Sequence, residues 1–216
     1  MRRRKLIAAL AVFVAYAVWL TPAQTAFYGF PRNLKPQVER LVLDQPALQP
    51  MPHTLFCLRY RNECKVQGIV FRPGLLSLNP ERVQDLVSVN REVNRSISPR
   101  TYPSAVLRDT WTLAPKAGDC NDYAVTKRHM LLAKGWPSRS LLLAVVRTPS
   151  GEGHLVLVVR AKEGDFVLDN LRWDIKDWAQ TGYRWEQIQS PNNPQYWSTV
   201  ATGKKLAEVT PVSYSR

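Results

Sequence analysis

The sequence predicts an α+β fold in which a helix-rich first half precedes an antiparallel sheet. Two segments carry clear helix-start signals, and three apolar, β-branched-rich runs follow them with short glycine-containing turns between. Strands joined by such short turns are antiparallel neighbours, so the sheet belongs to the second half of the chain. With 216 residues, 45% of them apolar, the chain is long enough to bury one substantial core.

The first 26 residues have the layout of a secretory signal peptide. A basic tip at residues 2 to 5 precedes an apolar run over residues 6 to 20 and then small residues. A run of this length is short for a membrane span. We expect export to the periplasm with cleavage after Ala23 or Ala26, and an uncleaved membrane anchor is the alternative because neither position fits the A-x-A pattern. Residues 27 to 216 are then predicted to form a single domain.

The charge balance indicates which partners the exported chain meets. The net charge is +13, and removal of the four basic residues at the tip leaves +9 (13 less 4). Charged residues are scattered, with no basic tract interleaved with aromatic residues, so nucleic acid is not an expected partner. A basic exported protein meets acidic polymers, lipid head groups or acidic proteins, although a solvated surface also explains the charge.

The three cysteines divide into a pair and a single residue. Cys57 and Cys64 lie seven apart in "FCLRYRNEC", a turn-like segment, and in an oxidising compartment such a pair forms a disulfide. A zinc site would need two further ligands at short spacing, and only His53 lies near. Cys120 is left over, and an odd cysteine in an exported protein is either an intermolecular partner or a reactive thiol.

The first half of the exported chain contains proline-rich connections around one helix. Residues 27 to 52 are predicted to be an extended arm with a short helical stretch near residues 36 to 43. Asn79 as N-cap and Pro80 at the first helical position start a helix. Its predicted core-facing stripe comprises Val83, Leu86, Val87 and Val93. Residues 98 to 117 hold three prolines and are predicted to be a long connection.

A second helix is predicted over residues 120 to 134. Asp119 is its N-cap, and Gly135 with Pro137 beyond it ends the helix. Its predicted core-facing side comprises Tyr123, Ala124, Lys127, Met130 and Leu131. Strands are predicted over residues 140 to 147, 154 to 160, 165 to 169 and 183 to 189, with a short helical piece at 174 to 180.

The position of Cys120 at the start of a helix suggests a nucleophile. The first-turn N–H groups and the helix dipole both favour the thiolate over the thiol, and the same amides can stabilise the oxyanion of a tetrahedral intermediate. A thiolate enzyme also needs an imidazole and a group that orients it. His129, nine residues along the same helix, points to the opposite side, and His53 lies in the proline-rich arm.

His154 is therefore the predicted base, and Asp169 its orienting group. His154 begins an apolar central strand directly after a Gly-Glu-Gly turn, and Asp169 closes the next strand. We expect the Asp169 carboxylate to accept a hydrogen bond from the imidazole Nδ1–H. The structural alternatives are a hydrogen-bonded core histidine and an aspartate that forms a turn, with Asn170 as a substitute orienting group.

These residues and their spacing resemble the bacterial transglutaminase-like cysteine proteinases. The similarity is carried by "GDCNDYAVTKRHMLLAKGWP", "GHLVLVV" and "VLDNL", and it extends to "FCLRYRNEC", "DTWTLAP" and "YRWEQIQSPNNPQYW". The resemblance implies a papain-like, transglutaminase-type core with the nucleophile at the N-terminus of a helix packed on an antiparallel sheet. It also implies a Cys-His-Asp triad of Cys120, His154 and Asp169.

The resemblance further implies a cofactor and partners. A relative in this family is a periplasmic, calcium-dependent protease that trims a surface adhesin, with calcium ligands in an acidic run around the nucleophile. Here that run is Asp119, Asn121 and Asp122, so one carboxylate has become an amide and weaker calcium binding is expected. The triad chemistry itself needs no cofactor. A periplasmic or surface protein is the implied substrate, and a regulatory protein is an implied partner.

The function predicted from the sequence is thiol-dependent hydrolysis of a peptide bond in an exported protein. Two alternatives stay open at this point. The same triad can pass the acyl group to an amine, as transglutaminases do, because water and amines compete at the same acyl-enzyme. A non-catalytic binding module could also keep the fold, although the complete Cys-His-Asp set argues against it.

Overall fold

A computed structural model describes residues 39 to 68, 74 to 100 and 110 to 201. Within these ranges the dominant element is a seven-stranded sheet in which every neighbouring pair is antiparallel. The strands are β1 (Leu43–Ala47), β4 (Leu141–Arg147), β5 (Gly153–Ala161), β6 (Gly164–Leu168), β7 (Lys176–Asp177), β8 (Arg184–Gln189) and β9 (Trp197–Val200). Their order across the sheet is β1-β9-β8-β4-β5-β6-β7. The short strands β2 (Ser98–Pro99) and β3 (Ala117–Gly118) pair separately and in parallel.

The predicted strands β4, β5 and β6 are confirmed, and each alternates between two cores. Leu141, Leu143, Leu155 and Leu157 belong to the core on the helix side of the sheet. Residues of the opposite parity belong to the core on the other side, and they include Leu142, Ala144, Val156, Val158 and Val167. Both faces of these central strands are buried, which explains why their sequences are nearly continuous apolar runs.

Three helices pack on one side of the described sheet: α1 (Met51–Arg59), α2 (Pro80–Ser96) and α3 (Cys120–Ala133). The predicted start of α2 is confirmed, because the Asn79 side chain accepts a hydrogen bond from the Arg82 N–H. Two residues of its predicted stripe, Leu86 and Val93, are buried, and so are Val89 and Asn90. The other two predicted residues, Val83 and Val87, are half-buried. The predicted bounds of α3 are confirmed within one residue.

The ends of α3 are fixed by local chemistry. Asp119 caps the helix through a capping box with Asp122. At the other end Gly135 has φ 84°, and the N–H groups of Gly135 and Trp136 bond the carbonyls of Leu132 and Leu131. Only glycine adopts this left-handed conformation without steric cost, so the Lys-Gly-Trp-Pro signal in the sequence ends the helix as predicted.

The prediction of an extended arm over residues 27 to 52 was partly wrong. Residues 27 to 38 lie outside the described residues, but the expected helical stretch near residues 36 to 43 is not helical from residue 39 onward. The chain instead forms strand β1, which pairs with β9 more than 150 residues later. A partner so distant leaves no local pattern in the sequence. Pro46 is tolerated there because β1 is an edge strand.

The segment around the cysteine pair was also predicted wrongly as turn-like. Residues Met51–Arg59 form α1, and a 3₁₀-helix follows at Arg61–Cys64. The helix tolerates the proline in its first turn because that position has no intrahelical N–H partner. His53 and Phe56 are buried beneath it, and packing against them decides the local structure.

Several smaller features complete the fold. A 3₁₀-helix at Trp178–Gln180 and strand β7 together replace the helical piece that was predicted at residues 174 to 180. The signal peptide predicted over residues 1 to 26 lies outside the described residues. Within the residues that the structure describes, no helix has the length and apolar character needed to cross a bilayer.

Candidate active site

Cys120 lies at the first position of α3, on the wall of an open cleft. The residues that line this cleft are Pro99, Arg100, Gly118, Asp119, Cys120, Tyr123, Thr148, Glu152, Gly153, His154, Asn170 and Leu171. The cysteine is half-buried and is not part of a disulfide, so its thiol reaches both the cleft and the protein interior. At this helix N-terminus the Asp119 side chain caps the first turn and accepts the Asn121 N–H at 3.0 Å, and the positive end of the helix dipole lies beside the sulfur.

The turn before Cys120 explains the Gly-Asp-Cys-Asn-Asp sequence. Asp122 is only 2% exposed, and its two carboxylate oxygens accept hydrogen bonds from the backbone N–H groups of Thr112 (2.8 Å) and Asp119 (3.0 Å). A Cβ on Gly118 would come within 2.2 Å of the Asp122 Oδ2 atom, so only glycine fits there. Burial raises the pKa of Asp122 to about 6, against the opposing effect of the two hydrogen bonds.

His154 and Asp169 are brought together by strands β5 and β6. His154 is the second residue of β5, and Asp169 directly follows the end of β6, its antiparallel neighbour. The His154 Nε2 atom lies 2.8 Å from the Asp169 Oδ1 atom, and both side chains are buried. The expectation that Nδ1 would face the carboxylate was wrong. The His154 ring presents Nε2 to Asp169, so Nδ1 is the ring nitrogen that does not bond this carboxylate.

The charge state of His154 follows from its two partners. Burial lowers the pKa of this imidazole, but hydrogen bonds with Asp169 and Cys120 outweigh that effect and raise it to about 9. The two partners therefore favour the protonated form of His154. The same pairing holds the pKa of Asp169 below its ordinary value, although burial alone would raise it. An imidazolium between a thiol sulfur and a carboxylate is the arrangement that a thiolate nucleophile requires.

Tyr183 is a contact of this pair that the sequence analysis did not identify. Its hydroxyl donates a hydrogen bond to the Asp169 Oδ2 atom, and its ring meets the His154 ring edge to face with centroids 5.8 Å apart. Burial and the neighbouring Asp169 raise the pKa of Tyr183, so the hydroxyl stays a donor. The backbone N–H of Leu171 also bonds Asp169 Oδ1, at 3.0 Å. No local signal marks Tyr183, because it lies 14 residues from Asp169.

Lys127 is a second residue whose surroundings the sequence did not reveal. It was predicted on the core-facing side of α3, and it is fully buried there. Its Nζ atom has no hydrogen-bond partner among the described residues. Burial lowers the pKa of Lys127 to about 7, and the nearby Asp169 carboxylate opposes this shift. Lys127 thus lies within the electrostatic field of the site.

The other two histidines lie elsewhere. His129 is in the second half of α3 and pairs with Glu63 at 2.7 Å, away from the cleft as predicted. His53 lies against the Cys57–Cys64 disulfide, with its Nε2 atom 3.5 Å from the Cys57 sulfur. The predicted disulfide is present, so these sulfurs bond each other and are not available as metal ligands. Burial, followed by the charge of Arg128, lowers the pKa of His53 to about 4.

The chain is similar to a known protein family and to solved structures. The family model described as bacterial transglutaminase-like cysteine proteinase BTLCP matches residues 43 to 205. Calcium-bound LapG of Legionella pneumophila is 23% identical, with 58% of this chain and 74% of that chain covered and a TM-score of 0.48. EGTA-treated LapG of the same organism is 21% identical, with 61% and 77% covered and a TM-score of 0.46.

No curated protein sequence matches the chain. The family model nevertheless spans the whole described sheet, all three described helices and the cleft between them. Its match extends over most of the 216 residues. The chain therefore belongs to the bacterial transglutaminase-like cysteine proteinases and has the cysteine peptidase fold of that family.

Proposed function

We propose that this peptidase cleaves a peptide bond of an exported protein through Cys120, His154 and Asp169. Cys120 attacks the carbonyl carbon, His154 holds the thiol proton and later gives it to the leaving amine, and Asp169 orients His154. Water then releases the acyl group from Cys120. The observation that carries the proposal is the buried His154–Asp169 hydrogen bond of 2.8 Å beside a half-buried thiol at a helix N-terminus.

The backbone N–H of Cys120, at the first position of α3, supplies one oxyanion contact in this proposal. The Cys120 N–H belongs to the first helical turn, where backbone donors have no intrahelical acceptor. Tyr183 and the Leu171 N–H occupy both oxygens of Asp169, so the carboxylate stays fixed while His154 changes its protonation state. The hydrogen bonds around Asp169 therefore favour His154, and not Asp169, as the group that exchanges protons.

The test is alkylation of the full chain by an iodoacetamide probe, with the labelled residue identified by mass spectrometry. We expect rapid labelling of Cys120 in the native protein and slow labelling in His154→Ala. His129→Ala is the matched control, since it removes a histidine from the same helix as the nucleophile without touching the cleft. Equal labelling rates in native protein and His154→Ala would contradict the proposed thiolate–imidazolium pair.

Calcium is the cofactor that we propose for the turn around Cys120. Asp122 is buried and holds two backbone N–H groups, so it supports the turn from inside. Asp119 and Asn121 are half-buried, and we propose their side-chain oxygens as the ligands that face the ion in a weak site. The buried Asp122 carboxylate would add negative charge next to them. When bound, Ca²⁺ supplies positive charge that offsets the carboxylates near the thiolate.

Calorimetric titration of chelator-treated protein tests the calcium proposal. We expect weak binding by the native chain and tighter binding by Asn121→Glu, because a third carboxylate raises the charge of the ligand set. Binding that is tight in the native chain and unchanged in Asn121→Glu would show that Asn121 is not a ligand.

We infer that the chain acts in the periplasm, with residues 1 to 26 as its export signal and residues 27 to 216 as one peptidase domain. The basic tip and apolar run of the sequence support this inference. N-terminal sequencing of the exported protein tests it: a start near residue 24 or 27 is expected, and an intact Met1 would indicate the membrane-anchored form.

A further inference from the structure

Helix α1 carries an apolar stripe on its solvent side. Leu48 is 91% exposed, Met51 69%, Leu55 49% and Leu58 66%. The last three residues are spaced by four and three positions, so they share one face of the helix. We call these four residues the α1 stripe. Single exposed apolar residues are ordinary on protein surfaces, but a continuous row marks an interaction site.

The α1 stripe is not needed to hold the helix in place. The opposite face of α1 is anchored by buried His53 and Phe56 and by the disulfide from Cys57 to Cys64. The side chains of Gln189 and Trp197 also contact the two ring nitrogens of His53, at 3.1 Å from Nε2 and 3.3 Å from Nδ1, and these contacts tie α1 to strands β8 and β9. The helix is therefore held rigidly while its second apolar face points to solvent.

The exposed charges of the segment that contains the α1 stripe are of one sign. Within residues 48 to 66 the exposed charged side chains are Arg59, Arg61 and Lys65. The one acidic residue of this segment, Glu63, is buried and pairs with Arg128 and His129. An apolar helix face bordered by basic side chains has the composition of a helix that lies in a membrane interface. The long aliphatic stems of such residues lie along apolar surface while their charges meet head groups.

The α1 stripe also lies away from the cleft. Glu63, at the end of the α1 segment, contacts Arg128 and His129 in the second half of α3, whereas Cys120 begins that helix. Eight residues of helix separate Cys120 from Arg128, which corresponds to about 12 Å along the axis. A surface that covers the α1 stripe would leave the cleft open to a protein substrate.

We propose that the α1 stripe and its basic border, Arg59, Arg61 and Lys65, dock the peptidase on an anionic phospholipid membrane. The charge complementarity favours lipid head groups over a second copy of this chain, since two copies would bring the same basic border together. The apolar run at residues 6 to 20 brings the chain to a membrane during export, so a bilayer is a surface that the domain meets whether or not this segment is later removed. The four residues of the α1 stripe do not line the cleft, so docking through them does not occupy it.

The experiment is hydrogen–deuterium exchange of the full chain in lipid nanodiscs that contain one copy each. Any contribution of residues 6 to 20 is common to all discs, so the comparison is between anionic and zwitterionic lipid. We expect slower exchange in α1 with phosphatidylglycerol than with phosphatidylcholine, and no change in the cleft peptides around Cys120. Arg61→Gln with Lys65→Gln should lower the docking equilibrium constant roughly 25-fold, at about fivefold for each basic residue.

A matched pair of variants tests the apolar part of the surface. Leu55→Gln with Leu58→Gln should abolish the lipid-dependent protection of α1. Leu171→Gln removes an equally exposed leucine beside the cleft and should leave the protection intact. Cleavage is not measured, so failure of docking is distinguishable from failure of the proposed catalysis.

Three results would overturn the proposal. Equal α1 exchange in anionic and zwitterionic discs would exclude recognition of lipid charge. Protection that appears only when discs carry two copies would show that a second chain covers the α1 stripe. Protection that is equally strong in detergent without lipid would indicate that another segment of this chain covers it.

Discussion

Two buried histidines of this protein have pKa values shifted in opposite directions, although both are buried. His53 is 1% exposed and His154 is 7% exposed, so both imidazoles are removed from water. The pKa of His53 is lowered to about 4, whereas that of His154 is raised to about 9. Burial lowers the pKa in both places, because it penalises the charged ring.

The difference lies in the charges that face each ring. His53 meets neutral amide and indole groups of Gln49, Gln189 and Trp197, and the charge of Arg128 disfavours a second cation. His154 meets Asp169 and Cys120, two groups whose anions favour a protonated ring. A buried histidine is therefore a candidate for catalysis when acidic partners face it. A histidine that is buried among neutral partners, as His53 is, has a structural role.

The largest expected effect separates the two histidines by activity. His154→Ala should reduce turnover by several orders of magnitude, because the nucleophile loses its proton acceptor. His53→Ala should keep turnover per folded molecule, since His53 lies at the disulfide and not at the cleft. Turnover of a peptide substrate, normalised to the folded fraction from near-ultraviolet circular dichroism, measures both. Loss of turnover in folded His53→Ala would contradict the structural role assigned to His53.

The next effect tests the acidic partner of His154. Asp169→Asn should lower turnover about 10⁴-fold while the fold persists, because a neutral amide neither favours the imidazolium nor fixes its tautomer. Tyr183→Phe is the graded control: it removes one hydrogen bond to the carboxylate and should cost roughly tenfold. If Tyr183→Phe costs as much as Asp169→Asn, the hydroxyl has a direct role in the chemistry.

The pH dependence of stability should have opposite signs for the two rings. His53 titrates near 6.5 in the unfolded chain and at about 4 in the fold, so its stabilisation is complete above pH 6.5 and is lost as the pH falls towards 4. That loss amounts to about 3 kcal/mol of unfolding free energy. The contribution of His154 is complete below pH 6.5 and is lost as the pH rises through about 9.

Urea unfolding across this pH range measures both slopes. His53→Gln should flatten the acidic limb and leave the alkaline limb unchanged, and His154→Gln should do the reverse. An acidic limb that persists in His53→Gln would assign that slope to other groups.

The smallest expected effect concerns the third histidine. His129 is bonded to Glu63, but its side chain is 46% exposed, so His129→Ala should change stability by no more than about 1 kcal/mol and leave turnover unchanged. The same turnover and unfolding assays apply. A folded His129→Ala protein without activity, together with an active His154→Ala protein, would show that the base was assigned wrongly.

Local sequence signals predicted much of the fold and the candidate site. Asp119 and Gly135 marked the ends of α3, and the alternating apolar runs marked β4, β5 and β6. These features depend on residues that are neighbours in the chain, where caps, turns and periodicity act. Cys120, His154 and Asp169 were selected because each lies at the end of such an element, and the ends of packed elements meet.

The features that the sequence did not predict depend on contacts between residues far apart in the chain. Strand β1 exists because β9 pairs with it, and α1 forms because His53 and Phe56 find a buried surface. In the folded chain Nε2 of His154 forms the hydrogen bond with Asp169, and the Tyr183 hydroxyl donates a second hydrogen bond to the same carboxylate. By itself the sequence placed His53 beside the Cys57–Cys64 pair and selected His154 as the predicted base for Cys120. Which of them is held as a cation was decided by the folded chain, because electrostatic interactions depend on distance in space and not on separation in sequence.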